Sequence, residues 1–351
     1  MMSHPIKLLV VDDSPVMRAL LVHVLNSDPG IHVVGAVADG RAAVEFVLER
    51  KPDAVLMDIH MPGLDGFETT RLIMETQPVP IIICTATANP TEVATSFRSL
   101  DAGALACVAK PVSPEHRDFE PLVRNLLQTV RLMAEVKVVR RWRRPCRELP
   151  ASLAGVAMPR YKDALIGIGT STGGPPVLKT IFSLLPKNFG APILVVQHIA
   201  VGFLTGLVEW LGQTTPLAVH VAAHGVVPEP GHVYFAPDEH HMGWRDGHIV
   251  LTQAPPENGL RPAVSHLFRS LASAEGLRAM GVLLTGMGRD GADELKLMRD
   301  HGALTIAQDE ASCAVYGMPG QAVAIGAATH VLAPEMIASM LLARIEERTT
   351  T

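Results

Sequence analysis

The sequence is short of the features that mark several protein classes. It holds four cysteines in 351 residues. Cys84, Cys107, Cys146 and Cys313 lie far apart with no CxxC pair, which excludes a disulfide framework and the usual zinc spacings. Charged residues make up 19%, below the ~25% of an average protein. The formal net charge is only -5, so a surface that coats nucleic acid is excluded. No apolar run approaches ~18 residues, so no membrane span or direct membrane insertion is expected. The run Leu8, Leu9, Val10, Val11 is too short for a secretory signal. These shortages describe a soluble cytoplasmic protein with reduced thiols.

What is plentiful is apolar residues, at 48%, with 29 glycines and 27 prolines; Gly and Pro exceed their average ~12% combined share. Such a chain builds cores and turns often. At ~150 residues per domain its length predicts about two domains. IKLLVV, IHVVGAV, AVLMD, PIIICTA and ALACV read as buried strands. Helical patterns separate them, including GFETTRLIMET, one near 91–99 and one over about 118–134. Five strands alternating with five helices predict a parallel sheet with helices on both faces. Glu135 to Arg160 breaks the rhythm with Lys137, Arg140, Arg141, Arg143, Arg144 and Arg147 among prolines. It reads as a basic linker, either a solvated hinge or a docking surface for an acidic partner. From Tyr161 the alternation resumes with ALIGIG, VLKTIFSLL and APILVVQH. An antiparallel insertion (HVYFA, then HMGW, an Asp246-Gly247 turn and HIVLT) precedes strands at MGVLLT and ALTIA. The fold class is α/β, with two doubly wound parallel-sheet domains.

Ligands of open parallel sheets gather at the strands' carboxyl ends. Asp12 and Asp13 end the first strand, Asp58 the third and Thr85 the fourth, and Lys110 follows the fifth. Three convergent carboxylates suit a hard divalent cation such as Mg²⁺, and the ammonium and hydroxyl suit a phosphoryl group. The plainer alternative for Asp13 is a helix start before Ser14-Pro15. VVDDS, MDIHMPGLDG, Thr85-Ala86 and Lys110-Pro111 resemble a response-regulator receiver domain over residues 4–134. The resemblance implies that Asp58 accepts a phosphoryl group from a histidine kinase of the CheA type. It further implies that Asp12, Asp13 and Asp58 hold Mg²⁺, and that Thr85 and Lys110 contact the phosphoryl oxygens. The aromatic switch residue common in receivers is replaced at Ala106-Cys107, which implies a different output rearrangement.

In the second half, Gly169-Thr170-Ser171-Thr172-Gly173-Gly174 lies between a strand and a helix. That context puts a serine on a tight turn beside backbone amides. A dinucleotide loop or a plain phosphate cradle fits the glycines too, although neither G-x-G-x-x-G nor an acid at the next strand end is present. A serine nucleophile needs a base, and His198 ends the next strand. Asp290 follows another, where its alternative is a cap for a helix starting near Gly291. His220 and His224 are spaced i,i+4 without the Glu of a zincin helix, while His240 and His241 fall at the insertion as surface or substrate-groove residues. Three complementary groups at three strand ends favour a Ser–His–Asp triad.

IGTSTGG, QHI, RPAVSHLF, LLTGMGRDGA, QDEASCAVYGMP and PGHVYFAPDEHH resemble the chemotaxis protein-glutamate methylesterases (CheB) over residues 161–347. The resemblance implies Ser171, His198 and Asp290 as catalytic residues, and a substrate in methylated chemoreceptor cytoplasmic domains. Methanol is the implied product, and glutamine deamidation a second activity. Thr172, Gly173 and Met287 are the candidates for the oxyanion and substrate loop, with no cofactor expected there. Ile199-Ala200 and Ser265-His266 depart from the family's usual wording. Joined to the receiver, the reading is a phosphorylation-activated hydrolase of chemotaxis adaptation, whose unphosphorylated receiver covers the Ser171 edge. The rival is a receiver-gated binding module with vestigial catalysis. A transcription factor is disfavoured because no basic helix-turn-helix follows the linker.

Overall fold

In this computed structural model the described residues are 4–85, 97, 99–100, 102–136, 164–274 and 276–345. The basic linker and Cys146 lie outside them, as does most of the helix expected near 91–99. The chain divides into two compact units, Met1–Arg143 and Arg144–Thr351.

In the first unit, strands β1 (Ile6–Val11), β2 (Ile31–Val37), β3 (Ala54–Met57), β4 (Ile81–Thr85) and β5 (Ala106–Ala109) form a sheet in the order β2-β1-β3-β4-β5. Every pairing is parallel. Strands β3 and β4 are buried at every residue, because helices cover both faces of such a sheet and apolar side chains are needed on each. The helices are α1 (Pro15–Asn26), α2 (Gly40–Arg50), α3 (Gly66–Thr76) and α4 (Phe119–Ala134). Ser14, Asp39 and Asp65 cap the first three by accepting the amides of Met17, Ala42 and Glu68, which satisfies donors that a helix start leaves open. Ser14, and not Asp13, starts α1, so Asp13 is free of the capping role.

Among the described residues, the larger sheet of the second unit has seven strands in the order β14-β13-β12-β6-β7-β9-β8. They are β6 (Ala164–Thr170), β7 (Ile193–Gln197), β8 (Ala218–Val221), β9 (His232–Phe235), β12 (Arg278–Leu283), β13 (Leu304–Gln308) and β14 (His330–Leu332). All pair in parallel. The expected antiparallel insertion is therefore smaller than the sequence suggests. HVYF is β9, a parallel neighbour of β7 and β8, and only β10 (His241–Arg245) and β11 (His248–Thr252) form the hairpin. The helices are α5 (Gly174–Ser183), α6 (Leu204–Thr214), α7 (Val264–Ala272), α8 (Ala292–Asp300), α9 (Met318–Ala324) and α10 (Pro334–Arg344). Among the described residues no helix is long and apolar enough to cross a membrane.

One close approach positions the site. Helix α7 lies so near β6 that a Cβ on Gly169 would come within 2.3 Å of Val264 Cγ1, 2.8 Å of its Cγ2 and 3.0 Å of Leu283 Cδ1. Val264 is buried and β-branched, with little rotamer freedom to yield. Gly169→Ala is therefore expected to destabilise the protein by about 1–3 kcal/mol through overpacking, read from the urea midpoint; an unchanged midpoint would show that α7 can back away freely.

Candidate active site

The edge of the first sheet gathers all five expected residues. Asp12, Asp58 and Thr85 are buried, Lys110 is partly buried and Asp13 is exposed. Lys110 Nζ lies 2.9 Å from Asp12 Oδ2 and 2.7 Å from Asp58 Oδ2. Burial raises the Asp12 carboxyl above its ordinary value despite this contact. Burial works against the charge of Lys110 too, but its two carboxylate partners prevail and hold its pKa above the usual range. Backbone amides fix the acids: Ser14 N–H donates to Asp12 Oδ1 at 3.0 Å and Ile59 N–H to Asp58 Oδ1 at 2.8 Å. Asp12, Asp13 and Asp58 each offer an oxygen within 4.8 Å of the others. Thr85 Oγ1, beside them at the end of β4, is buried with no hydrogen-bond partner among the described residues. An all-oxygen donor set of this charge fits a hard divalent cation.

At the edge of the second sheet, Thr170 stands opposite Gln197 in the parallel register of β6 and β7. Ser171 and His198 are the next residue of each strand, so the pairing itself brings them together. Gln197 secures both, its Nε2 donating to Ser171 O at 2.8 Å and to His198 O at 2.9 Å. The amide of Ser171 donates to Thr285 O at 3.0 Å, and that of His198 to Thr170 O at 2.9 Å. The Thr285 hydroxyl donates to Thr172 O at 2.9 Å and accepts the Val315 amide at 3.0 Å. The Thr285 amide in turn is held by Gln308 Oε1 at 2.8 Å. Gly173 adopts a left-handed conformation, φ 79°, which turns the chain sharply into α5 at little cost for glycine. The amides of Ser171, Gly174, Thr285 and Gly286 are all committed. Those of Thr172 and Gly173 meet no acceptor among the described residues. Met287 lies on the neighbouring loop and is 43% exposed.

His198 Nε2 lies 2.9 Å from Asp290 Oδ2. The contact is off the ring N–H direction, so Nε2 has no aligned hydrogen bond; such bonds commonly tighten only with substrate present. Asp290 is buried, and it does not cap the helix that follows it: Gly291 occupies the N-cap of α8. It accepts instead from the first turn of α7, where Val264 N–H reaches Oδ2 at 2.6 Å and Ser265 N–H reaches Oδ1 at 3.0 Å. Burial alone would raise the Asp290 carboxyl. The His198 contact and charge, the Ser265 hydroxyl and the Val264 amide outweigh it and bring the carboxyl below its ordinary value.

A second histidine group joins β10 to α7, with the rings of His241 and His266 stacked 4.7 Å apart. His241, expected at the surface or in a groove, is fully buried; its Nδ1 accepts the Ala263 amide at 3.3 Å and its Nε2 faces Pro255 O at 3.2 Å. It lies near Glu257 and His266, but Glu257 is already bound by both guanidinium nitrogens of Arg269, at 3.1 and 3.0 Å, and faces His266 Nδ1 at 3.0 Å. With both His241 nitrogens, His266 Nδ1 and the Glu257 carboxylate engaged, the group braces α7. His220 sits on strand β8, not on a helix, so its spacing to His224 has no metal-binding meaning. Gln197, Thr285 and Gln308 are structural members of the site that no local sequence pattern marks.

Residues 166–341 match the family described as CheB methylesterase, and residues 8–117 match the response regulator receiver domain. A protein-glutamate methylesterase/protein-glutamine glutaminase of Nitrosospira multiformis is 49% identical over 350 residues, 99% of each chain. One of Syntrophus aciditrophicus is 51% identical over 344 residues, 96% of this chain and 97% of that one. The crystal structure of the Thermotoga maritima CheB methylesterase catalytic domain is 37% identical. It covers 52% of this chain and 98% of that one, with a TM-score of 0.49. The chain belongs to the CheB methylesterase family, with a response-regulator receiver domain in its N-terminal part.

A carboxyl with a folded-state pKa below its unfolded ~3.9 adds its full stability above that value and loses it as pH falls through the folded value. Asp290→Asn is thus expected to cost about 2 kcal/mol or more at pH 7. The difference from wild type should shrink only below about pH 4. Chemical denaturation across pH measures this, and a deficit that is constant from pH 7 to 3 would contradict it.

Proposed function

We propose that this chain hydrolyses the γ-methyl esters of glutamyl residues in chemoreceptor cytoplasmic domains, releasing methanol, and that it also deamidates glutamine side chains there. The observation that carries the reading is the convergence of Ser171, His198 and Asp290 at one sheet edge. Ser171 Oγ attacks the ester carbonyl as His198 takes its proton, a transfer worth ~10²–10⁴-fold. With Nε2 turned to Asp290, Nδ1 is the nitrogen left for that proton. Asp290 orients the ring and stabilises the imidazolium. The uncommitted amides of Thr172 and Gly173 supply the oxyanion hole, where one donor is typically worth ~10²–10³ in rate. Collapse of the tetrahedral intermediate breaks the ester C–O bond, and the imidazolium protonates the departing methoxide. Water, deprotonated by His198, then attacks the acyl-serine and restores Ser171. Substitution Ser171→Ala should lower methanol release about a thousandfold or more. Activity near wild type would favour the rival, a gated binding module.

The first unit supplies control. Asp58 Oδ attacks the phosphorus of a kinase phosphohistidine, the P–N bond breaks, and the imidazole leaves as an aspartyl phosphate forms. Asp12, Asp13 and Asp58 would hold Mg²⁺, which offsets the negative charge gathered on that edge. Lys110 and Thr85 then face the phosphoryl oxygens, and Lys110 must trade its present carboxylate contacts for them. The change at Asp58 shifts the chain towards an active state only by the preference of that state for the modified residue. The setting is the cytoplasm, where kinase and receptor domains both lie. A small-molecule phosphodonor should raise wild-type methanol release and leave Asp58→Asn at its basal rate; equal stimulation of the two would remove Asp58 as the control point.

A further inference from the structure

Ser265 has no part in the chemistry described so far, yet it touches the site more closely than any other bystander. It is the second residue of α7 and is 4% exposed. Its hydroxyl donates to Asp290 Oδ1 at 2.5 Å and accepts the Gly291 amide at 3.1 Å. The N-cap of α7, Ala263, has no side-chain oxygen with which to satisfy the helix's first amides. A carboxylate from a distant loop does so instead, and Ser265 clamps that loop at two successive residues.

The donor count gives this weight. A carboxylate offers about four lone-pair directions. On Asp290, three are taken from α7: the Ser265 hydroxyl and amide on Oδ1, and the Val264 amide on Oδ2. The remaining direction is the one His198 meets, on Oδ2. The two backbone amides alone leave the carboxylate plane able to rock about them, and the hydroxyl supplies the third point that stops it. A charged hydrogen bond at 2.5 Å is also at the short, strong end of its class.

We propose that Ser265 is the positioning residue of the His198–Asp290 pair, its hydroxyl fixing the carboxylate plane so that one lone pair of Oδ2 faces the imidazole. This inference rests on the reading of Ser171, His198 and Asp290 as catalytic. The interaction it protects strengthens only when the imidazole becomes charged in the transition state. Its loss should therefore appear in kcat and not in KM. A residue that merely caps a helix would change stability and leave that split unmoved.

The test uses the full chain with acetyl phosphate and Mg²⁺, and follows methanol release from a tritium-labelled, methylated receptor cytoplasmic fragment. Ser265→Ala is expected to lower kcat about tenfold with KM within about twofold of wild type, and Ser265→Thr, which keeps the hydroxyl, to recover most of the loss. Should the alanine variant fold poorly, Ser265→Cys, near-isosteric but a weak donor, is expected to show the same fall in kcat. Wild-type kcat in a folded Ala or Cys variant overturns the proposal, as does a loss carried by KM. Ser171→Ala serves as the separate control. If it stays active, the reading of the site fails; if it is inactive and the Ser265 variants are not impaired, only the positioning role fails.

Discussion

The parallel register of β6 and β7, with Thr170 opposite Gln197, is the constraint on which the larger unit's site depends. Parallel strands end on the same side, so whatever follows them is delivered to one edge without further instruction. Ser171 and His198 need no long loop to meet. What the rest of the unit contributes is restraint: Gln197 ties the two strand ends together, and the Thr285 hydroxyl ties the turn after Ser171 to the loops after β12 and β13. The smaller sheet obeys the same rule with different residues, and its edge collects carboxylates in place of a serine and a histidine.

Both edges bury charge, which is costly unless the charge is paired and hydrogen-bonded. They meet the cost differently. In the first unit a single ammonium, Lys110, spans two carboxylates, an arrangement that a phosphoryl group can compete for. In the second, Asp290 is held chiefly by neutral donors of a helix start, which do not move when the charge beside them changes. One site is built so that its counter-charge can be redistributed, the other so that it cannot.

Much of this was legible in the chain itself. LLVV, AVLM, ALIGIG and ILVV are unbroken apolar runs because both faces of those strands are covered, and polar residues at their ends stand out for that reason. HVYF was misleading: its nearness in sequence to HMGW suggests a local hairpin, whereas its partners are β7 and β8, and non-local pairing leaves no short-range signal. The brief strands AVHV and HVL lie at the sheet's two edges, partly exposed, and lack the buried pattern that marks the others. Ser171, His198 and Asp290 were visible by residue type and place. Gln197, Thr285 and Ser265 were not marked as supports, because each acts by reaching a backbone or side chain set by the tertiary fold. The role of Asp290 as an acceptor for another helix's first turn was likewise beyond local reading, which pointed to the helix just after it.

The lateral order β12-β6-β7 has a consequence for the imidazole. The strand that leads to Ser171 lies between those that lead to Asp290 and to His198. The ring of His198 must therefore span the middle strand's end to touch Asp290, and it does so with the nitrogen farther from its own backbone. Such residues are usually compared by their order along the chain, but here the sideways order of strands brings the Nε2 of His198 to Asp290. A circular permutation of the unit would scramble the first order and leave the second, and with it the chemistry, intact.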